Sequence, residues 1–218
     1  MWLTRMTRPD IMLSVTLLAS HMTNFTDFHI KAAKRVLQYV KGTMDLGLHI
    51  KKMASKIDPL NCKLEFYSDS DWARDKIKRR SVTGYVGYFL NNPIVYCCKY
   101  QPTIALSSCE AEYMAMTEAA KEILFFRNIL KECEGYIQLQ LPVTLHVDNT
   151  GALALSTTLV TNKRSKHIDI RYHFLRDLHE RKIIQPTKVH TDDNDADGFT
   201  KPLLEVPFVR HRPKIIYD

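Results

Sequence analysis

The stretch Lys63–Ala73, KLEFYSDSDWA, decides the fold. It reads as one strand running into a turn. Alternation sends Leu64, Phe66 and Ser68 to one face and Glu65, Tyr67, Asp69 and Asp71 to the other. The strand thus begins apolar and ends in two carboxylates on one face. Aspartate is poor in a strand interior but acceptable at a strand end, where function often sits. Asp69 is therefore the candidate anchor of a metal site around which later carboxylates gather. Taken alone, the triplet Asp69-Ser70-Asp71 also reads as a solvated turn.

Downstream, Val82–Leu90 and Ile94–Tyr100 read as two further strands joined by a turn at Asn91-Asn92-Pro93, completing an antiparallel meander. Ser107–Cys133 reads as the longest helix, with Ser107 as N-cap and Glu110 closing a capping box, a device whose loss costs ~1 kcal/mol. Counting back along its apolar stripe, Leu130, Phe126, Ile123, Ala119 and Met116, lands on Glu112. A carboxylate in line with a buried stripe needs a reason, unless it sits at the stripe's end and reaches solvent. Val143–Val147 is a fourth strand, again ending in a carboxylate, Asp148, followed by Asn149. A helix opens at Thr150. The basic loop Thr161–His167 leads into a helix over Ile168–Lys182, with Ile170, Phe174, Leu175 and Leu178 inward. Pro186–His190 is a last strand, and Asp192–Asp197 opens a short helix that Pro202 ends.

Upstream, Met1–Gly42 reads as two helices, the second with the apolar stripe Phe28, Ala32, Val36, Leu37, Tyr39 and Val40. Leu46–Lys51 fits a short strand, and Lys52–Asn61 a polar connector. The expected organisation is a helical segment over 1–52, a mixed α/β domain over 62–203 and a divergent tail over 204–218.

The 218 residues suit one large domain, or one domain and an addition, able to bury roughly 70% of its unfolded surface without staples. Lys plus Arg outnumber Asp plus Glu by 31 to 24, a net charge of +7 that hints at a polyanionic partner. Five cysteines, an odd count without framework spacing, imply reduced thiols in an intracellular rather than secreted protein. No paired Cys/His spacing suggests structural zinc. No run reaches the ~18 apolar residues of a membrane span, so no membrane partner is expected.

Two strands that end in Asp, a helix that starts with an inward Glu and an Asp-rich final segment would crowd several carboxylates together. Such groups repel, and divalent metal resolves the conflict. An all-oxygen set selects Mg²⁺ or Mn²⁺ over zinc. Two such ions about 4 Å apart are the usual machinery of in-line phosphodiester chemistry.

The blocks YSDSDWA, RRSVTGYVGYFL, QPTIALSSCEAEYMA, LHVDNTGALAL, KRSKHIDIRYHFLRD and DADGFTKPL, in that order, resemble the ribonuclease H domain of copia-type retrotransposon Pol polyproteins, over roughly Leu64–Leu203. Ahead of them, TRPDIMLSV and KAAKRVLQYVKGTMDLGL resemble the stretch that joins the family's reverse transcriptase to that domain. The resemblance implies a ribonuclease H-like fold, a five-stranded mixed sheet flanked by helices. It implies endonucleolytic hydrolysis of the RNA strand of RNA–DNA hybrids with two Mg²⁺ (or Mn²⁺) ions, beside the reverse transcriptase portion of the same polyprotein. It places the chain in the cytoplasm, within a virus-like particle, or in the nucleus.

The family's catalytic, metal-binding carboxylates carry over onto Asp69, Glu112, Asp148 and Asp197. Residue patterning alone does not choose Asp197 over Asp192, Asp193 or Asp195. Lys76, Lys78, Arg79, Arg80, Asn149, Lys163, Arg164 and Lys166 become candidate nucleic-acid contacts, phosphate-positioning rather than sequence-reading in the basic case. Each basic residue equally suits a solvated loop. His190 and His167 are possible proton shuttles outside the core set. No YxDD motif is present, so polymerase activity is not expected. After Leu203 the tail VPFVRHRPKIIYD leaves the family pattern, and both ends suggest a fragment of an element. Two other readings compete: a non-catalytic nucleic-acid-binding remnant, and a DNA-strand-transfer enzyme using Asp69, Asp148 and a later Glu such as Glu180.

Overall fold

A computed structural model describes residues 1–50, 61–133, 135–157 and 166–217, with the side chains of all of these but 166–169 and 172. Five strands form one sheet in the order β3-β2-β1-β4-β5. They are β1 (Leu64–Asp71), β2 (Val82–Phe89), β3 (Asn92–Tyr100), β4 (Val143–Val147) and β5 (Ile184–Lys188). The first three run as an antiparallel meander; β4 lies parallel to β1, and β5 parallel to β4. This is the five-stranded mixed, ribonuclease H-like sheet that the resemblance implies.

The strands form where alternation and β-branched or aromatic residues coincide. The β2–β3 turn differs from expectation. Its two central residues are Leu90 and Asn91, both with left-handed backbone (φ 51° and 62°), and Asn92-Pro93 already belongs to β3. The type I′ two-residue hairpin needs two left-handed positions, which Asn91 tolerates well. Pro93 and Pro186 are accommodated because β3 and β5 are the sheet edges.

One face is covered by α4 (Ser108–Glu132), α5 (Thr150–Thr157) and α6 (Lys166–Glu180). Leu64, Phe66, Tyr113, Met116, Ile123, Leu145, Leu175 and Ile184 are buried there. The stripe on α4 buries Met116, Ala119 and Ile123 as its spacing requires. Gly87, opposite Phe66 on β2, leaves the space that the Phe66 ring fills.

The other face carries a second cluster: Met12, Leu13, Val82, Val86, Tyr88, Phe199, Ile215 and Ile216. Its first two members come from α2 (Met12–Ala19), which follows α1 (Trp2–Met6) and packs on β3. Its last two come from the tail, where α7 (Glu205–His211) leads to a short 3₁₀ turn, Arg212–Lys214. The helical start and the tail therefore share one apolar layer with the sheet.

Three further readings are corrected. Over the described residues 46–50 there is no strand; Gly47 alone bridges to Tyr217, because this stretch borders the tail and not the sheet. The helix α3 (Asp27–Gly42) buries none of its residues, and Phe28, on its expected inner stripe, is 74% exposed. Periodicity marks a preferred face without saying what covers it. In α6, Leu175 and Leu178 are buried as expected but Ile170 is 81% exposed, at the rim of an open cleft between α4 and α6.

Candidate metal centre

The parallel register between β1 and β4 pairs Tyr67 with His146. Two residues further along each strand stand Asp69 and Asp148, so both carboxylates leave the same end of the sheet. Asp69 is buried within β1, and Asp148 lies half-buried just past β4.

The third carboxylate comes from a distant segment laid over this sheet end. Asn194 Nδ2 donates to the Ser68 carbonyl at 3.0 Å, and the Thr200 hydroxyl donates to Asp69 Oδ2. Asp197, which opens a 3₁₀ turn between these anchors, is thereby turned inward. One carboxylate oxygen from each of Asp69, Asp148 and Asp197 lies within 4.8 Å of the others. Gly84, opposite Asp69 on β2, makes the approach possible: a Cβ there would sit 2.5 Å from Thr200 Cγ2 and 2.9 Å from Phe199 Cβ. Gly84→Ala is expected to cost about 1–3 kcal/mol of stability, read by urea unfolding, because the 196–200 segment must lift.

Glu112 enters from the first turns of α4. The Ser107 hydroxyl accepts the Glu110 N–H at 3.1 Å and fixes the helix start; the Glu110 carboxylate reaches back to the Leu106 N–H at 2.7 Å, one residue before the cap. Glu112 Oε1 accepts the Ser70 N–H at 3.1 Å, beside Asp69 but outside the trio whose oxygens all lie within 4.8 Å of one another.

Burial and crowding dominate the electrostatics. Burial pushes Glu112 well above the ordinary carboxylate range, and Asp69 and Asp148 push it further. Burial likewise raises Asp69, opposed by Lys201 and the Thr200 hydroxyl. Asp197 rises to about 7, first from burial and then from Asp69, with Lys201 opposing. Glu112 Oε2 and Asp197 Oδ1 are buried without a hydrogen-bond partner. An oxygen-only set with two orphaned buried acceptors fits a hard divalent cation.

The remaining candidates fall elsewhere. Asp71 pairs with Arg74 at 2.5 Å. Lys76, Lys78, Arg79 and Arg80 are exposed on the β1–β2 loop, which Asp75 shapes by accepting the Ile77 and Lys78 N–H groups, each at 2.9 Å. Asn149 Oδ1 accepts the Ala152 N–H at 2.9 Å, so this oxygen caps α5. Lys163 and Arg164 lie outside the described residues, as do the side chains of Lys166 and His167. His190 is exposed and caps the turn that follows it. Among the acidic neighbours of Asp197, Asp192 is exposed and Asp193 pairs with Arg210. Asp195 is buried between Tyr88, His211 and Lys214, at 3.3, 3.0 and 2.6 Å. Glu180 is exposed at the end of α6 and outside the cluster, which leaves the strand-transfer arrangement without its third carboxylate.

Two residues of the site escaped the sequence reading, Thr200 and Lys201. The Lys201 ammonium stands 2.9 Å from Asp197 Oδ2 and 4.0 Å from Asp69 Oδ2. The available signal was a lysine four positions after an aspartate.

No family model matches the chain. It is 37% identical over 209 residues to the retrovirus-related Pol polyprotein from transposon RE2 of Arabidopsis thaliana, covering 96% of this chain and 14% of that protein. It is 34% identical over 195 residues to the corresponding polyprotein from transposon TNT 1-94 of Nicotiana tabacum, covering 89% and 14%. The chain thus spans about one seventh of the length of these relatives. Among solved structures, LC11 ribonuclease H1 isolated from compost is similar at 15% identity and a TM-score of 0.48, over 63% of this chain and 92% of that one.

Proposed function

The chain belongs to the retrovirus-related Pol polyproteins of transposons, and on that premise we propose that it is their ribonuclease H portion, cutting the RNA strand of RNA–DNA hybrids endonucleolytically. The observation that carries this reading is the convergence of Asp69, Asp148 and Asp197 within 4.8 Å, with buried Glu112 alongside.

These four carboxylates would hold two Mg²⁺ or Mn²⁺ ions. When bound, such ions activate water and stabilise the leaving oxygen of an in-line displacement. The chain's own residues hold the arrangement in advance. Thr200 orients Asp69, the Ser70 N–H orients Glu112, and the Thr191 hydroxyl donates to Asp148 Oδ2 at 3.1 Å. Lys188 donates to the Asp148 main-chain carbonyl and tethers the end of β4. Lys76, Lys78, Arg79 and Arg80, on the loop that leaves the same end of β1, would meet phosphates without reading sequence. Their contribution would weaken as salt rises. The RNA–DNA hybrid is the substrate, and the polymerase portion of a Pol polyprotein is the natural neighbour that makes it.

Incubation of the pure chain with a labelled hybrid, duplex RNA and duplex DNA in Mg²⁺ tests the proposal. Cleavage confined to the RNA strand of the hybrid is expected. Hybrid binding without cleavage in either Mg²⁺ or Mn²⁺ would overturn it.

A further inference from the structure

Lys201 does more than neutralise a surface acid. Its ammonium lies against Asp197 Oδ2 and faces Asp69 Oδ2, between two buried carboxylates. The alternatives open to those carboxylates are poor. Asp197 Oδ1 and Glu112 Oε2 are already orphaned, and an unpaired buried charge is among the costliest groups in a protein. A lysine is ordinarily cationic at neutral pH, and this one faces two carboxylates. Its side chain is also 35% exposed, whereas those of Asp69 and Asp197 are 3% and 6% exposed. It can swing into water while the acids cannot follow.

We propose that Lys201 is a built-in, displaceable counterion, holding the cation position between Asp197 and Asp69 until a divalent ion evicts it. The inference rests on the cation-binding reading of this site. It adds a selectivity that the carboxylates alone would lack. A monovalent ion that replaces the ammonium exchanges one positive charge for another. A divalent ion brings a second charge into a site of low dielectric, where that charge counts most. Lys201 thus lowers the apparent affinity for every cation, by competition, and filters against monovalent ones. It also keeps the metal-free acids from driving the 194–200 segment off the sheet.

The test uses the full chain and Ca²⁺ as probe, so that binding is read without turnover. By calorimetry, Lys201→Met is expected to bind Ca²⁺ about tenfold more tightly than the parent, and Lys201→Arg no more tightly than the parent. In the unmodified chain, acetylation of Lys201 by an amine-reactive ester, read by mass spectrometry, is expected to rise several-fold with Ca²⁺ but not with K⁺ at equal ionic strength. Lys201→Met binding Ca²⁺ no more tightly than the parent, or Lys201 labelling indifferent to saturating Ca²⁺, overturns the proposal. Should the methionine variant not fold, the labelling result decides alone. The two readings separate cleanly. A chain that binds Ca²⁺ and releases Lys201 but leaves hybrids intact in Mg²⁺ sinks the nuclease only. A chain that cleaves hybrids while Lys201 ignores Ca²⁺ sinks the counterion only.

Discussion

Asp69→Asn is expected to lower hybrid cleavage on the order of a thousandfold or more while the fold survives. The substitution keeps the shape of the side chain and an oxygen to accept from the Thr200 hydroxyl. It removes the charge that Asp69 supplies to the cluster it forms with Asp148 and Asp197. Because burial works against an ionised Asp69, the variant is expected to unfold at the same temperature or higher without metal. Loss of activity with stability kept is the signature of a functional charge. Asp71→Asn provides the contrast: its partner is Arg74, both are partly exposed, and such pairs contribute little. The measurement is the initial rate of labelled RNA release, beside a thermal melt. Undiminished cleavage by Asp69→Asn would remove the nuclease reading.

The second large effect is on stability. Without divalent cation the chain should lose stability as pH rises from about 4 to about 7, and a cation should reverse the loss. Asp197 titrates near the ordinary 3.8 when unfolded and at about 7 when folded. Within that window the folded state binds more protons, so raising the pH favours unfolding. Above about 7 this group is ionised in both states and its penalty is complete. Asp69 and Glu112 are shifted in the same direction and add to it. Mg²⁺ binds the ionised folded form, so its effect should be small at pH 5 and large at pH 8. At a hundredfold excess over Kd, the melting temperature at pH 8 should rise by about 5–10 °C. Thermal melts at both pH values with and without Mg²⁺ check this. An equal rise at the two pH values would contradict the assignment of the buried acids as the binding groups.

The central strands were legible because their physics is local. Alternation in both Leu64–Asp71 and Val143–Val147 is sufficient to place β1 and β4. The stripe on α4 singles out Glu112 by spacing alone, and the buried Glu112 confirms that the helix face was read correctly. Asp197 is different. Four aspartates crowd its segment, and only tertiary contacts separate them: Asp195 is taken by the tail and Asp193 by Arg210, while Asp197 faces Asp69. The resemblance pointed to Asp197, but no residue pattern could have done so. Two of the misreadings share one cause. Phe28 and Ile170 lie on well-formed apolar stripes, yet a stripe does not name the surface that will cover it. Lys201 was passed over because its role exists only once Asp69 has been brought to it from 132 positions away in the chain.

The stretch after Leu203, which departs from the family pattern in sequence, carries two isoleucines into the apolar layer and two of the three groups that hold Asp195. Asp195 stands two positions from Asp197, so residues 204–217 brace the segment that carries the third carboxylate of the cluster. A chain ending at Leu203 would keep all four carboxylates and still lose Ile215 and Ile216 from the apolar layer. A change confined to that stretch would therefore loosen the acidic cluster while leaving each of its carboxylates in the sequence.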